Sequence, residues 1–152
     1  MQISFNVLGL QELQKRLKAI ENLSKDPRVD KALGRGASIM QGQIKLLTPV
    51  DLGLLRNSII INRIKMMEWV VETNCEYAIF VEFGTGKLGD KSVPHTSKES
   101  WVYYSDALHH FVVTHGQTPA AMFRDGFEMT HNHVTFYVKR EVEEIIINAG
   151  RA

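Results

Sequence analysis

The stretch Thr48 to Ser58 constrains this chain most, because the hydrophobic period changes across it. Before it, apolar residues recur every three or four positions; after it comes the run Ile59-Ile60-Ile61. Pro49 cannot continue a helix, since it lacks an N–H and its ring disfavours helical geometry in the preceding residue. Asp51 and Gly53 suit a tight turn, one by bonding nearby backbone and the other by tolerating positive φ. Arg56 brings a planar fork of donors to the edge of the apolar run. On residue chemistry the stretch reads as a helix-to-strand connection, shaped by its Asp and Arg, rather than as a catalytic element.

The two flanks give the rest of the expected order. Ile3, Phe5 and Val7 alternate with polar residues and predict a short strand, broken at Gly9. Leu10, Leu13, Leu17 and Ile20 predict an amphipathic helix of about three turns. Asp26-Pro27 is a helix start, with Asp as cap and Pro as first helical residue. Val29, Leu33, Ala37, Met40, Ile44 and Leu47 form the stripe of that second helix. Gly34, Gly36 and Gly42 lie inside it, each costing about 1 kcal/mol against alanine, which points to close packing. Ser58 to Met66 and Glu68 to Thr73 read as paired strands, with Trp69 and Val71 on one face and the isoleucines buried on both faces in places. Asn74 suits the cap of a short helix over 76–83, stopped by Gly84; a strand is the competing reading, because the same residues also alternate.

The span 86–117 is too long for plain loop inside a small domain. Its polar part, 87–100, reads as mobile. Trp101 to Tyr104 and Phe111 to Thr114 read as the strands of a hairpin. A hairpin is marginal alone in water and needs a surface to lie on. Thr118-Pro119 predicts the start of a last helix. Its stripe runs through Ala120, Phe123, Phe127, His131, Val134, Val138, Val142, Ile145 and Ala149 to a stop at Gly150, with Gly126 and Val134-Thr135 as places where it would break.

Three segments, in order, resemble a known family. Pro49-x-Asp51-x-Gly53-x-Leu55-Arg56-x-Ser58 is similar to a Pro-x-Asp-Thr-Gly-x-Leu-Arg-x-Ser signature of small head–tail joining proteins of long-tailed bacteriophages, a group that includes neck, tail-completion and minor tail proteins, lambda's minor tail protein Z among them. Tyr77-Ala78-x-x-Val81-Glu82-Phe83-Gly84-Thr85 resembles a second family segment, and Gly116-Gln117-x-Pro119-Ala120-x-x-Phe123 resembles a third. Leu52 stands where the family has Thr, and Asp125-Gly126 where it has Pro-Ala. The resemblance implies an α+β fold: a small antiparallel sheet with helices mainly on one face, a long C-terminal helix and a β-hairpin arm, in one domain over 1–152 with 86–117 as the arm. It implies a structural virion protein of the head–tail junction, first made in the host cytoplasm. The subunits would form a ring, a multiple of six, between the head connector and the tail tube or terminator proteins. DNA would pass the lumen without specific binding.

The composition is compatible with that expectation. With 18 basic and 17 acidic residues the net charge is +1, so no broad nucleic-acid footprint is indicated. A single cysteine, Cys75, cannot form an internal disulfide. No signal-peptide pattern opens the sequence and no apolar run approaches a membrane span, so a soluble protein made inside the cell is expected. No cofactor or metal is indicated. The histidines 95, 109, 110, 115, 131 and 133 show no metal-ligand spacing, and on a helix His131 and His133 point about 200° apart. Trp101, Tyr103, Tyr104 and Phe111 are the interface candidates, with a satellite core inside the hairpin as the alternative. An Arg56–Glu82 ion pair would tie the first two family segments together. The competing functions are a protein-binding module and a small hydrolase using Asp51, Glu82 and a histidine.

Overall fold

The computed structural model describes residues 9–94, 98–106 and 108–151. The strand expected over residues 3–7, and His95, lie outside the described residues. Helix α1 (Leu10–Asn22) follows Gly9 and ends in a 3-10 turn, Leu23–Lys25. Helix α2 (Pro27–Leu47) starts as the sequence predicts, with the Asp26 carboxylate accepting from the Arg28 N–H at 2.9 Å. A helical turn, α3 (Leu54–Ser58), comes before strand β1 (Ile59–Lys65), so the strand begins one residue later than expected. Strand β2 (Glu68–Thr73) pairs with it antiparallel, Ile59 opposite Thr73 and Ile61 opposite Val71. Helix α4 (Ala78–Phe83) follows, which decides the helix-or-strand question for that segment. Strands β3 (Trp101–Ser105) and β4 (His110–Thr114) form a second two-stranded sheet. Helix α5 (Met122–Arg151) completes the α+β fold.

The core lies where α2, the central turn and the first turn of α5 meet. Ile44, Ile59 and Met122 are fully buried there, joined by Leu55 and Ala78. The long helices α2 and α5 approach closely because glycine lines both sides. A Cβ on Gly36 would stand 2.5 Å from Val134 Cγ1, and one on Gly126 would stand 2.5 Å from Ile44 Cγ1. Gly34 likewise leaves room for the Trp69 ring, whereas Gly42 faces open space. Close packing thus explains two of the three glycines in α2.

Several expectations are corrected. Helix α5 starts at Met122, not Thr118: Ala120 and Ala121 donate instead to the Val81 and Glu82 carbonyls, and Ala121 is left-handed (φ 48°). The helix runs unbroken through Gly126 and Val134-Thr135 and past Gly150, because packing on α2 outweighs local propensity. Its buried side is Met122, Gly126, Thr130 and Ile145, while Phe127 is exposed. Ile60 is also exposed, so the Ile run is buried on one face only. The apolar stripe of α1 is not core: Leu10, Leu13, Leu17 and Ile20 are each about half exposed.

Candidate assembly surface

The central turn is held by its own side chains. Arg56 Nη2 donates to the Thr48 carbonyl at 3.1 Å, so a cation sits at the C-terminal end of α2, where the helix dipole and unpaired carbonyls favour it. Thr48 is buried and its hydroxyl donates to the Ile44 carbonyl at 2.7 Å. Gly53 is left-handed (φ 79°) and precedes α3, which buries Leu55. Ser58 Oγ donates to the Leu55 carbonyl and lies 2.6 Å from Thr73 Oγ1, joining α3 to the end of β2. Pro49, Val50, Asp51 and Leu52 are exposed at the rim of a cleft that Tyr77 and Tyr103 also line. The Tyr77 phenol is raised above its ordinary value, chiefly by its hydrogen bond to Cys75.

The segments Tyr77–Thr85 and Gly116–Phe123 dock on each other. Glu82 is buried at the end of α4. Its Oε2 accepts from the Phe123 N–H at 2.9 Å and its Oε1 from the Arg124 N–H at 3.1 Å. These are the second and third residues of α5, the two donors that an N-cap side chain normally satisfies. The cap therefore comes from 41 residues upstream. Arg56 and Glu82 do not form the expected pair: one closes α2 and the other opens α5. The cation beside Glu82 is Arg124, with Nε at 3.4 Å; its guanidinium also pairs with Asp90 and lies over the Phe83 ring. Asp90 is lowered to about 2, first by its hydrogen bonds from the Ser92 hydroxyl and N–H, then by Arg124. The Asp90 N–H donates to the Phe83 carbonyl at 2.7 Å, which anchors the front of the polar segment expected to be loose.

Thr85 and Gln117 close the base of the arm with reciprocal backbone hydrogen bonds of 2.9 and 3.2 Å. Only glycine fits on either side. Gly84 (φ 71°) would place a Cβ 2.5 Å from the Gln117 carbonyl oxygen, and Gly116 (φ 95°) would drive one into the Thr85 carbonyl.

Above this base, the hairpin divides the four aromatic candidates between two faces. Trp101, Ser105, Val112 and Thr114 are half-buried, with Trp101 against Gly86 and Tyr103 at the cleft beside the central turn. The opposite face is Val102, Tyr104, Phe111 and Val113, all exposed, from 49% at Tyr104 to 72% at Phe111. Tyr104 and Phe111 meet edge-to-face at 5.4 Å. The valines complete an outward face that an eye for aromatics misses; strand alternation identifies it.

Sequence reasoning also missed Asp30. It is buried in α2 and accepts from the Met67 N–H (2.8 Å), Trp69 Nε1 (3.1 Å) and Arg63 Nε (3.0 Å). Its carboxyl is held below the ordinary value, first by the Met67 N–H. It fastens the turn between β1 and β2, where Met67 is left-handed (φ 66°) without the usual Gly or Asn. No group of three His, Cys, Asp or Glu side chains placed to hold a metal occurs among the described residues. His131 stacks on Phe127 at 5.3 Å.

Residues 11–84 match the HK97-gp10-like family model, described as "Bacteriophage HK97-gp10, putative tail-component". Over that span, just under half of its length, the chain is similar to that family, which supports a head–tail joining family of phages. The match supports a phage tail structural protein, non-enzymatic, in contact with other phage structural proteins and located in the virion. It covers the central turn and most of the Tyr77–Thr85 segment; the arm and α5 lie beyond it. No curated protein and no solved structure matches the chain. No helix among the described residues is long and apolar enough to cross a membrane.

Proposed function

We propose that this protein works at the head–tail junction, completing the neck or tail by assembling into a ring that joins the tail to the head connector. The ring is a multiple of six subunits, each a single joining domain with 86–117 as its arm, and DNA passes its lumen without specific contacts. The observation that carries this reading is the amount of surface left uncovered. A compact monomer of 17.3 kDa exposes about 7,800 Å², and this chain exposes 11158 Å². Giving the undescribed residues the full exposure of an extended chain, about 2,100 Å², still leaves an excess of about 1,300 Å². That is the area each partner contributes to a standard protein interface, about 800 Å², and somewhat more. Exposed Val50, Leu52 and Leu54 at the central turn and the outer face of the hairpin supply apolar area of the kind interfaces bury.

Light scattering of the purified protein over a concentration series, with negative-stain imaging, tests the reading. Ring-shaped hexamers or dodecamers are the expected result. A monomer at every concentration, alone and mixed with its connector and tail-tube neighbours, would refute assembly as the mechanism.

A further inference from the structure

Among the described residues, helix α1 is packed by its polar side. Its half-buried positions are Arg16 and Ala19, and Glu12 and Arg16 lie against Gly150 of α5. Its apolar stripe, Leu10, Leu13, Leu17 and Ile20, lies roughly a third of a turn away around the helix and is 48–56% exposed. An amphipathic helix docked by its polar side leaves a hydrophobic stripe that stability requires something to cover. The hairpin has the matching deficit: Val102, Tyr104, Phe111 and Val113 form one apolar face with no cover among the described residues. A helix stripe and a sheet face are the two halves of a two-layer α/β packing. Their lengths agree. Leu10 to Ile20 rises about 15 Å, and a five-residue strand spans about 13–17 Å.

We infer that the outer face of the hairpin of one copy packs across the α1 stripe of the next copy. Donor and acceptor are different surfaces of the same chain, so the contact is head-to-tail and propagates until it closes a ring. Each subunit uses both surfaces once. The inference rests on the self-assembly reading above and adds the two surfaces that make the contact.

Single-cysteine variants test it. In a Cys75→Ala background, Leu17→Cys and Phe111→Cys are purified separately, mixed at equal concentration and oxidised mildly. The linked peptides are then identified by mass spectrometry. The mixed Leu17–Phe111 disulfide is expected to exceed either symmetric disulfide at least fivefold, and the double variant is expected to give a ladder of multimers. Symmetric Phe111–Phe111 disulfides in excess, or closure within a single chain of the double variant at high dilution, would overturn the inference. Phe111→Asp is the second arm: it is expected to raise the half-assembly concentration at least tenfold with an unchanged far-ultraviolet spectrum and melting temperature. If rings form and Phe111→Asp leaves them unaffected, the inference falls and the ring reading stands. If neither mixed disulfide nor self-association occurs, both fall.

Discussion

Glu82 should be the most sensitive charged residue in the chain. Its carboxylate accepts from two successive N–H groups at the first turn of a 30-residue helix, and its side chain is buried. Loss of an ordinary N-cap costs about 0.5–2 kcal/mol. Here the acceptor is charged, and hydrogen bonds to charged groups are each worth about 1.5–3 kcal/mol. Water can reach part of the freed turn and recover some of that, so Glu82→Ala is expected to destabilise by about 2–4 kcal/mol. Glu82→Gln keeps one oxygen acceptor but turns an NH2 group towards the second N–H and gives up the favourable charge at the helix terminus. It should cost about 1–2 kcal/mol. For a chain of this size 1 kcal/mol is worth about 2–4 °C, which puts the alanine variant roughly 4–16 °C below the parent.

Urea and thermal unfolding followed by circular dichroism measure both values, and an unchanged m-value would show that the loss is local. Exchanging the charges, Arg56→Glu with Glu82→Arg, should leave the protein less stable than Glu82→Arg alone, since the two residues serve different helices and their losses add. If both Glu82 variants fall within 0.5 kcal/mol of the parent, or if the exchange restores stability, the capping argument is wrong.

Two glycines of α2 should respond oppositely to the same substitution. Gly36→Ala forces a Cβ onto Val134 and should destabilise by about 1–3 kcal/mol, whereas Gly42→Ala meets nothing and should stabilise by about 0.5–1 kcal/mol; paired urea midpoints decide it. Ile44→Ala, at the point where α2 meets Gly126, should cost about 2–5 kcal/mol by the same assay. Asp30→Asn should accelerate hydrogen exchange at the Met67 amide while leaving amides of the α2–α5 contact protected, because its carboxylate fastens only the β1–β2 turn. Asp90 has its folded-state value lowered from 3.8 to about 2, so its contribution is complete above about pH 4 and disappears as pH falls towards 2. Thermal melts of the parent and Asp90→Asn should therefore differ at pH 5 and converge near pH 2; a constant gap would rule this linkage out.

The parts of this fold that the sequence announced are those decided by local chemistry. Asp26-Pro27 starts a helix, Pro49 follows the end of one, and the segments read as strands over 58–66 and 68–73 do pair, over Ile59–Lys65 and Glu68–Thr73. What it concealed was decided between distant segments. The start of α5 moves from Thr118 to Met122 because residues 117–121 are spent on hydrogen bonds to 81–85, and Glu82 then supplies the cap. Reading Thr118-Pro119 as cap and first residue uses the same rule that succeeds at Asp26-Pro27; it fails because a non-local carboxylate competes. The charges of two family segments suggested a pair, and each charge instead serves a helix end. Asp30 gave no signal at all, since an acidic residue in the first turn of a helix already has a sufficient local reason to be there.

Periodicity itself carries a further ambiguity. A stripe at helical spacing records that one side of a helix avoids water in the working state of the protein, without saying whose atoms cover it. In α2 and α5 the cover is intramolecular, and glycines mark the places where it is tightest. In α1 and on the outer face of the hairpin the pattern is just as regular, yet the described residues leave both uncovered. The energetic scale is consistent with weak pairwise contact. Eight half-exposed apolar side chains, each recovering about 1 kcal/mol on burial, give a gross gain of about 8 kcal/mol. Association consumes about 4–15 kcal/mol of such a gain, so two isolated copies would hold together poorly. Closing a ring changes that balance, because the last contact forms without a further loss of translational freedom. A head-to-tail contact of this strength therefore favours monomers and complete rings over dimers and trimers, and sedimentation across the assembly transition should show those two species with little between them.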